Sequence, residues 1–291
     1  MKSTRDEKIF YTINYMFLGL AALSCVLPLM HIVSLSLSSY QAIVSGHVTL
    51  WPQGWTVEAY KALYVGTNMV KAFHNSVVIT VVGVTLSMWF TIMAAYPLAK
   101  KYFYARRFFT LAIVFTMLFG TPLIPLFLIV KSLGLLDTYG AIWMPGLISA
   151  FNMLVLRTFF MNVPEELEEA ARMDGCGEWR LLTRIILPLS LPVLATLTLF
   201  YGVGYWNSFL HVLMFINDST RMNLAVMIQQ MVASQSILQE LNSVRPDDLQ
   251  QMTPESIKAA GVIVLIVPML IVYPFLQKYF VKGVMIGAIK G

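Results

Sequence analysis

Charge is what this sequence has least of. Asp, Glu, Lys and Arg make up 12% of its 291 residues, against roughly 25% in ordinary soluble domains. A chain that is 58% hydrophobic has too few charged side chains to cover its apolar surface in water. Cysteine is nearly missing as well. Cys25 lies inside an apolar run and Cys176 in a charged loop, so there is no disulfide framework and no CxxC or Cys/His metal spacing. No G-x-x-x-x-G-K-[ST] occurs, which excludes the usual phosphate-cradling ATP loop. The apolar runs carry no Ser/His/Asp set and no paired carboxylates, so no catalytic residues are expected.

What is present is apolar sequence in long blocks, with a mean hydropathy of +0.71. Six runs are long enough to cross a bilayer, which takes about 20 residues: Ile9–Leu37, Phe73–Leu98, Phe108–Val130, Tyr139–Met161, Leu187–Ile216 and Ala259–Phe280. None contains an Asp or Glu. Hydrocarbon offers no hydrogen-bond partner, so such runs satisfy their backbone by forming helices. The expectation is an all-α, polytopic membrane protein with six transmembrane helices. The first run follows Lys2, Arg5 and Lys8 like a secretory h-region, but it is too long and lacks a small-residue cleavage site; it reads as a retained anchor.

The pI of about 9.1 points to membrane orientation, not to nucleic acid, because the basic residues flank apolar runs instead of lining one face. With the N-terminus inside, fourteen of the 20 Lys and Arg residues fall on the inner side. The positive-inside bias therefore places both termini in the cytoplasm. Two outer loops are long, 38–72 and 217–258. The second carries Gln229, Gln230 and Gln235 within a Met/Leu/Val pattern, which reads either as a helix that meets an external binding protein or as a solvated loop.

The richest stretch is the inner loop 162–188. Pro164 suits a first helical turn, and Glu165, Glu166, Glu168 and Glu169 place negative charge at the positive end of the dipole. Ala170 and Ala171 are small enough to let another surface approach the backbone. Gly175 is placed to end the helix in a left-handed cap. Trp179, Leu182, Ile185 and Ile186 follow at helical spacing, with Pro188 at the entry to the fifth run. A helix–Gly–helix hairpin on the membrane's inner face is a docking device.

Glu169-Ala170-Ala171, three residues, Gly175, nine residues, then Ile185-x-Leu187-Pro188 resembles the EAA loop of binding-protein-dependent ABC importer permeases at every signature position. The resemblance covers nearly the whole chain and is strongest to the maltose-type carbohydrate branch, including permeases for alginate or pectin fragments. Phe73-His74-Asn75-Ser76 resembles the start of the family's core domain, Tyr205-Trp206-Asn207-Ser208-Phe209 its aromatic-Asn segment, and the stretch from Lys282 to Gly291 its tail. It implies a type I ABC importer permease fold in three parts. Residues 1–71 hold the first helix and external loop, 72–278 the transmembrane core, and 279–291 a cytoplasmic tail. It also implies that the loop is a coupling helix, with Glu169, Ala170, Ala171, Asp174 and Gly175 meeting an ATPase. The implied partners are a second permease, two ATPase subunits that use ATP and Mg, and an extracellular or periplasmic solute-binding protein. No cofactor or metal is implied on this chain, and the setting is a bacterial cytoplasmic membrane.

The spans themselves offer chemistry suited to a sugar. Tyr205, Trp206, Asn207 and Ser208, with Asn152, supply aromatic faces and uncharged hydrogen-bonding groups; the same groups also serve to hold helices together. Histidines 31, 74 and 211 and Arg157 are too sparse for a gradient-driven proton path. Oligosaccharide import by an ATP-driven complex is the favoured reading. Import of a non-sugar solute, or a non-transporting receptor or assembly role, are the alternatives.

Overall fold

A computed structural model describes residues 5–233 and 253–288, and the described residues are helical or irregular throughout. The first apolar run forms α1 (Arg5–Ser36) and the second α2 (Met69–Ala99). The third is split into α3 (Arg106–Leu118) and α4 (Leu123–Ser132), which meet at 117°. The fourth holds a short turn, Gly140–Trp143, then α5 (Ala150–Met161). The glutamate-rich loop 162–188 forms α6 (Glu165–Met173) and enters α7 (Glu178–Leu189). A bend of 82° separates α7 from α8 (Leu191–Trp206), and α9 (Phe209–Phe215) closes the fifth run. α10 (Leu224–Ala233) and α11 (Pro254–Ala288) complete the chain.

Among the described residues three helices are long and apolar enough to cross a membrane: α1, α2 and residues Glu255–Phe275 of α11; counting each bent pair as one span gives up to five. The fourth expected span differs in that its apolar helix, Ala150–Met161, falls short of a crossing by itself. The breaks have local causes. At Phe119-Gly120-Thr121-Pro122 the residue before proline is pushed out of the helical region, and Pro122 begins α4 with extended torsions of −62° and 149°. Pro125 sits in the first turn of α4, where a missing N–H costs nothing. The fourth run opens at Met144-Pro145-Gly146, and Ser149 then caps α5, its hydroxyl accepting from Asn152 N. Pro268 and Pro274, in contrast, sit inside a helix that stays unbroken.

The chain forms two compact units. One comprises Met1–Met69 and Ile228–Val267. In it α1 is exposed at every residue from 5 to 29, as a helix apolar all round must be when lipid is its neighbour. Serines tie its far end to the outer loop: Tyr60 donates to Ser36 Oγ at 2.9 Å, and Gln53 N donates to Ser38 Oγ at 3.0 Å. The other unit comprises Val70–Met227 and Pro268–Gly291. Its larger core joins Leu98, Met153, Leu156, Phe160, Leu181, Ile186 and Leu197. A second core joins Ile79, Ile142, Tyr201, Tyr205, Val212 and Ile216.

Within this second unit one face of α2 carries Gly83, Ser87 and Thr91, four residues apart, and α8 meets it with Tyr201 and Tyr205. Thr91 Oγ1 lies 2.7 Å from the Tyr201 hydroxyl and Ser87 Oγ 2.8 Å from that of Tyr205. The Tyr205 ring lies so close to Gly83 that a Cβ there would sit 2.9 Å from three ring atoms. Gly83→Val should therefore lower stability by roughly 1–3 kcal/mol through overpacking. Thermal unfolding of the detergent-purified protein checks this against Gly204→Ala, whose Cβ meets nothing within 4 Å. Equal unfolding temperatures would refute the close approach.

Candidate functional site

The loop 162–188, the candidate docking element, is built around one helix cap. Pro164 precedes α6 with extended backbone, and Glu165, Glu166 and Glu168 fill its first turn. At the other end Gly175 takes φ +76°. Gly175 N donates to Arg172 O and Cys176 N to Ala171 O, each at 3.0 Å. This pair of bonds is the Schellman closure, and the left-handed residue it requires is glycine for steric reasons. Nothing lies within 4 Å of a Cβ built on Gly175, so its backbone is open to an outside surface.

Five residues were expected on the docking face, and the structure separates them. Glu169, Ala170, Asp174 and Gly175 are exposed, together with Met173. Ala171 is 7% exposed and belongs to the chain's own core with Leu181, Leu182 and Ile186. The alanine pair is thus divided: consecutive residues of a helix point about 100° apart, and Ala171 seats the loop while Ala170 faces outward. Of the second stripe, Leu182 and Ile186 are buried, Ile185 is half-buried, and Trp179 is exposed with its ring against Trp89.

Charged residues outside the motif fix the loop to α2. Lys100, 5% exposed, pairs with Glu168 and lies 4.6 Å from the centre of the Tyr96 ring. Lys101 pairs with Glu165 at the surface. Arg172 pairs with Glu178 at 2.8 Å and lies over the Tyr102 ring. Tyr96 donates to Glu178 at 2.6 Å, and Arg157 Nε donates to the carbonyl of Leu98 near the end of α2. Burial by itself would raise the Glu178 carboxyl, but the hydrogen bond from Tyr96 and the charge of Arg172 outweigh it and hold the group below its ordinary range. Two of the four glutamates read as helix-dipole charges, Glu165 and Glu168, are therefore the partners of Lys101 and Lys100, read as orientation signals. The signal available was the Lys100–Lys101 pair directly after an apolar run, facing a glutamate-rich helix.

Farther along α2 the second unit borders an open cavity of about 440 Å³. Of the five pathway residues expected, Asn152, Tyr205 and Ser208 line it. Trp206 is buried with its ring edge-on to Phe73, and Asn207 is exposed; neither is among the lining residues. The sequence reading missed Ser149, Phe151, Phe200, Tyr201, Gly204 and His211, which also line the cavity. Tyr201 and Gly204 were within reach, four and one residues before Tyr205 on the same helix. Ser149 and Phe151 were not, because the break in the fourth run carries them there. Ser149 N donates to the Tyr201 hydroxyl at 2.9 Å, and Ser87 donates to Gly146 O at 3.4 Å. The hydroxyl pairs thus satisfy backbone freed by the break. Among the described residues no Lys, Arg, Asp or Glu lines the cavity, and no group of three metal-ligating side chains occurs.

At the opposite end of the second unit Asp137 takes φ 58° and gathers the loop after α9. Its carboxylate accepts from Asn217 N, Asn217 Nδ2 and Asp218 N, and Arg221 donates to its carbonyl. Asn75 Nδ2 donates to Thr220 O and Met222 O, and Leu224 N donates to Ser76 Oγ. Gln229 and Gln230 lie exposed on α10; Gln235 lies outside the described residues, as do residues 234–252 of the outer loop and the last three residues of the chain. The hydrogen bonds from Asn217 hold the Asp137 carboxyl below its ordinary range. A depressed carboxyl contributes stability above its unfolded value and loses it as pH falls through the lower folded value. The stability difference between the parent and Asp137→Asn should hold from pH 7 to about 5 and shrink only in acid below about 3.9. Thermal unfolding across that pH series checks it; a difference already gone at pH 5 would refute the clasp.

The family of binding-protein-dependent transport system inner membrane components matches residues 83–286. Protein LplC of Bacillus subtilis (strain 168) is 40% identical over 293 residues, covering 100% of this chain and 98% of that protein. The polygalacturonan/rhamnogalacturonan transport system permease protein YtcP of the same organism is 39% identical over 289 residues, covering 98% and 99%. Among solved structures, a chain of a bacterial ABC transporter involved in the import of the acidic polysaccharide alginate matches with a TM-score of 0.90. It is 32% identical, over 96% of this chain and 99% of that one.

Proposed function

The chain belongs to the family of binding-protein-dependent transport system inner membrane components, and from that premise we propose that it lines half of the pathway by which an ATP-driven importer takes up an oligosaccharide. It is the permease subunit of a carbohydrate-type ABC importer that works with a solute-binding protein. As a transport permease it draws its energy from a separate ATPase. The observation that carries the oligosaccharide reading is the cavity of about 440 Å³ lined by Tyr201, Tyr205, Phe151 and Phe200 beside Ser149, Asn152 and Ser208. Aromatic faces stack on sugar C–H surfaces, and uncharged amides and hydroxyls bind sugar hydroxyls. The name of one relative specifies pectin-type polysaccharides, and that of the matching structure the acidic polysaccharide alginate; fragments of such polymers are the proposed cargo.

In this reading the six apolar runs make six crossings, the three broken runs included, and both termini lie in the cytoplasm. The partners are a second permease, two ATPase subunits that bind ATP and Mg, and an external binding protein met through the loop carrying Gln229 and Gln230. The exposed face Glu169, Ala170, Asp174 and Gly175 docks on the ATPase; Ala171 acts behind it.

Two experiments test these assignments. Reconstituted with its partners in proteoliposomes, the complex should import a uronic-acid or neutral oligosaccharide in an ATP-dependent way. Uptake confined to a non-sugar solute across a panel of both would overturn the cargo. At the loop, Ala170→Asp should leave insertion and thermal stability unchanged while weakening ATPase attachment. Gly175→Val should strain the cap by roughly 1–3 kcal/mol, lowering thermal stability to that extent, and should likewise weaken ATPase attachment in the chain that inserts. Ala171→Asp should instead lower the amount of folded chain, since it puts a charge into the core. Co-purification of the ATPase with each variant reads the difference, and identical behaviour of the two alanine variants would refute the division of the pair.

A further inference from the structure

The carboxylate of Glu178, the first residue of α7, joins three elements at once. Its Oε2 accepts from the Tyr96 hydroxyl of α2 at 2.6 Å, and its Oε1 pairs with Arg172 of α6 at 2.8 Å. The Tyr96 ring is 9% exposed, edge-on to Phe160 and beneath the Lys100 ammonium, so its hydroxyl is held where it is. The other charged ties of the loop to α2, Lys100–Glu168 and Lys101–Glu165, attach beyond Pro97 and beyond the helix end at Ala99, and the exposed Trp179 ring meets Trp89 of α2 without a hydrogen bond to fix it. Tyr96 lies before Pro97, within the unbroken part of the helix.

That part of α2 also holds the cavity wall. Thr91 and Ser87, about 7.5 and 13.5 Å along the axis from Tyr96 at 1.5 Å per residue, grip the hydroxyls of Tyr201 and Tyr205. The alternative route from the loop to the cavity runs through α7 and α8. It contains a π-helical turn at Leu182–Ile186, Pro188, and the 82° bend before Leu191. A π turn and a sharp bend absorb displacement, whereas a straight helix passes it on. We propose that Glu178 and Tyr96 are positioning residues whose hydrogen bond carries displacement of the docking loop into α2 and so to the tyrosines of the cavity. The proposal rests on the permease reading above, but its test needs no transported sugar.

The test uses the complete complex in proteoliposomes, with Cys25 and Cys176 replaced by serine and Gly204→Cys as a reporter in the cavity lining. A water-soluble maleimide is the probe, and labelling is timed with and without ATP and vanadate. In the parent, trapping should change the labelling rate at least about fivefold, the lower end of ordinary coupling between sites. Tyr96→Phe removes one hydroxyl and keeps the ring on Phe160 and under Lys100. It should still trap nucleotide and co-purify with the ATPase at parental levels while the rate change falls toward one. Glu178→Gln, which keeps an acceptor for Tyr96 but loses the pair with Arg172, should retain part of the change. A merely structural contact would instead lower the yield of complex and leave the ratio intact. The proposal is overturned if Tyr96→Phe keeps the parental ratio, or if trapping changes nothing in the parent. Failure of sugar uptake with the ratio behaving as expected would count against the cargo alone.

Discussion

A backbone carbonyl or N–H released inside an apolar environment has to find a partner, and the second unit is arranged around meeting that demand. The fourth apolar run opens at Met144-Pro145-Gly146, and the groups it frees are met by Ser87 and by the hydroxyl of Tyr201. A net hydrogen bond contributes only about 0.5–1.5 kcal/mol, but a buried group left without one costs about 1–3 kcal/mol, so the hydroxyls are needed more to prevent a penalty than to add strength. Thr91 and Ser87 then hold the two tyrosines, and Gly83 makes room for the second ring. Irregular backbone at membrane depth is tolerated where it lines a cavity, and Gly146 and Ser149 do line it.

At the loop end the governing balance is electrostatic. Lys100 is nearly buried, which would be costly for a lone ammonium, and it is compensated twice, by Glu168 and by the face of Tyr96. Removing either partner of such a pair costs more than the pair contributes, because an uncompensated charge is left behind. The surface pair Lys101–Glu165 carries much less weight. The loop is therefore anchored on its inner side and bare on its outer side, the arrangement a docking element needs: fixed to its own chain and free of it where another protein arrives.

Much of this was legible in the sequence. The apolar runs marked where helices lie because backbone satisfaction leaves few other options. The acidic start and Gly175 located the ends of α6 because caps are local chemistry. Two things were not legible. Which side of α6 each alanine takes depends on how the loop is rotated by Lys100, Lys101 and Tyr96, residues some seventy positions away, and a motif written along the chain does not carry that rotation. Likewise Tyr205-Trp206-Asn207-Ser208 reads as one polar segment, yet a helix distributes neighbours around its axis and α8 ends inside it. Tyr205 and Ser208 reach the cavity and Trp206 turns to Phe73. Breaks within the third, fourth and fifth runs do not show in hydropathy, which averages over the Gly-Thr-Pro step of the third, the Pro-Gly step of the fourth and Ser190-Leu191-Pro192 of the fifth.

The neutral cavity wall has a consequence for how cargo is handled. A fixed cation in a narrow apolar enclosure would attract a carboxylate strongly, since Coulomb energies rise as the surroundings lose water, and a tightly held sugar leaves slowly. Hydroxyl, amide and aromatic groups act over short range and exchange partners easily, so successive sugar units meet similar contacts as they pass. On the pathway proposed for this cavity, discrimination would rest on ring shape and hydroxyl pattern, supplied by Tyr201, Tyr205, Phe151, Asn152 and Ser208. The charge of an acidic fragment, the proposed cargo, would find no fixed counter-ion among the described lining residues, so selection by charge would have to be exerted before such a cargo reached this wall or from the far side of it.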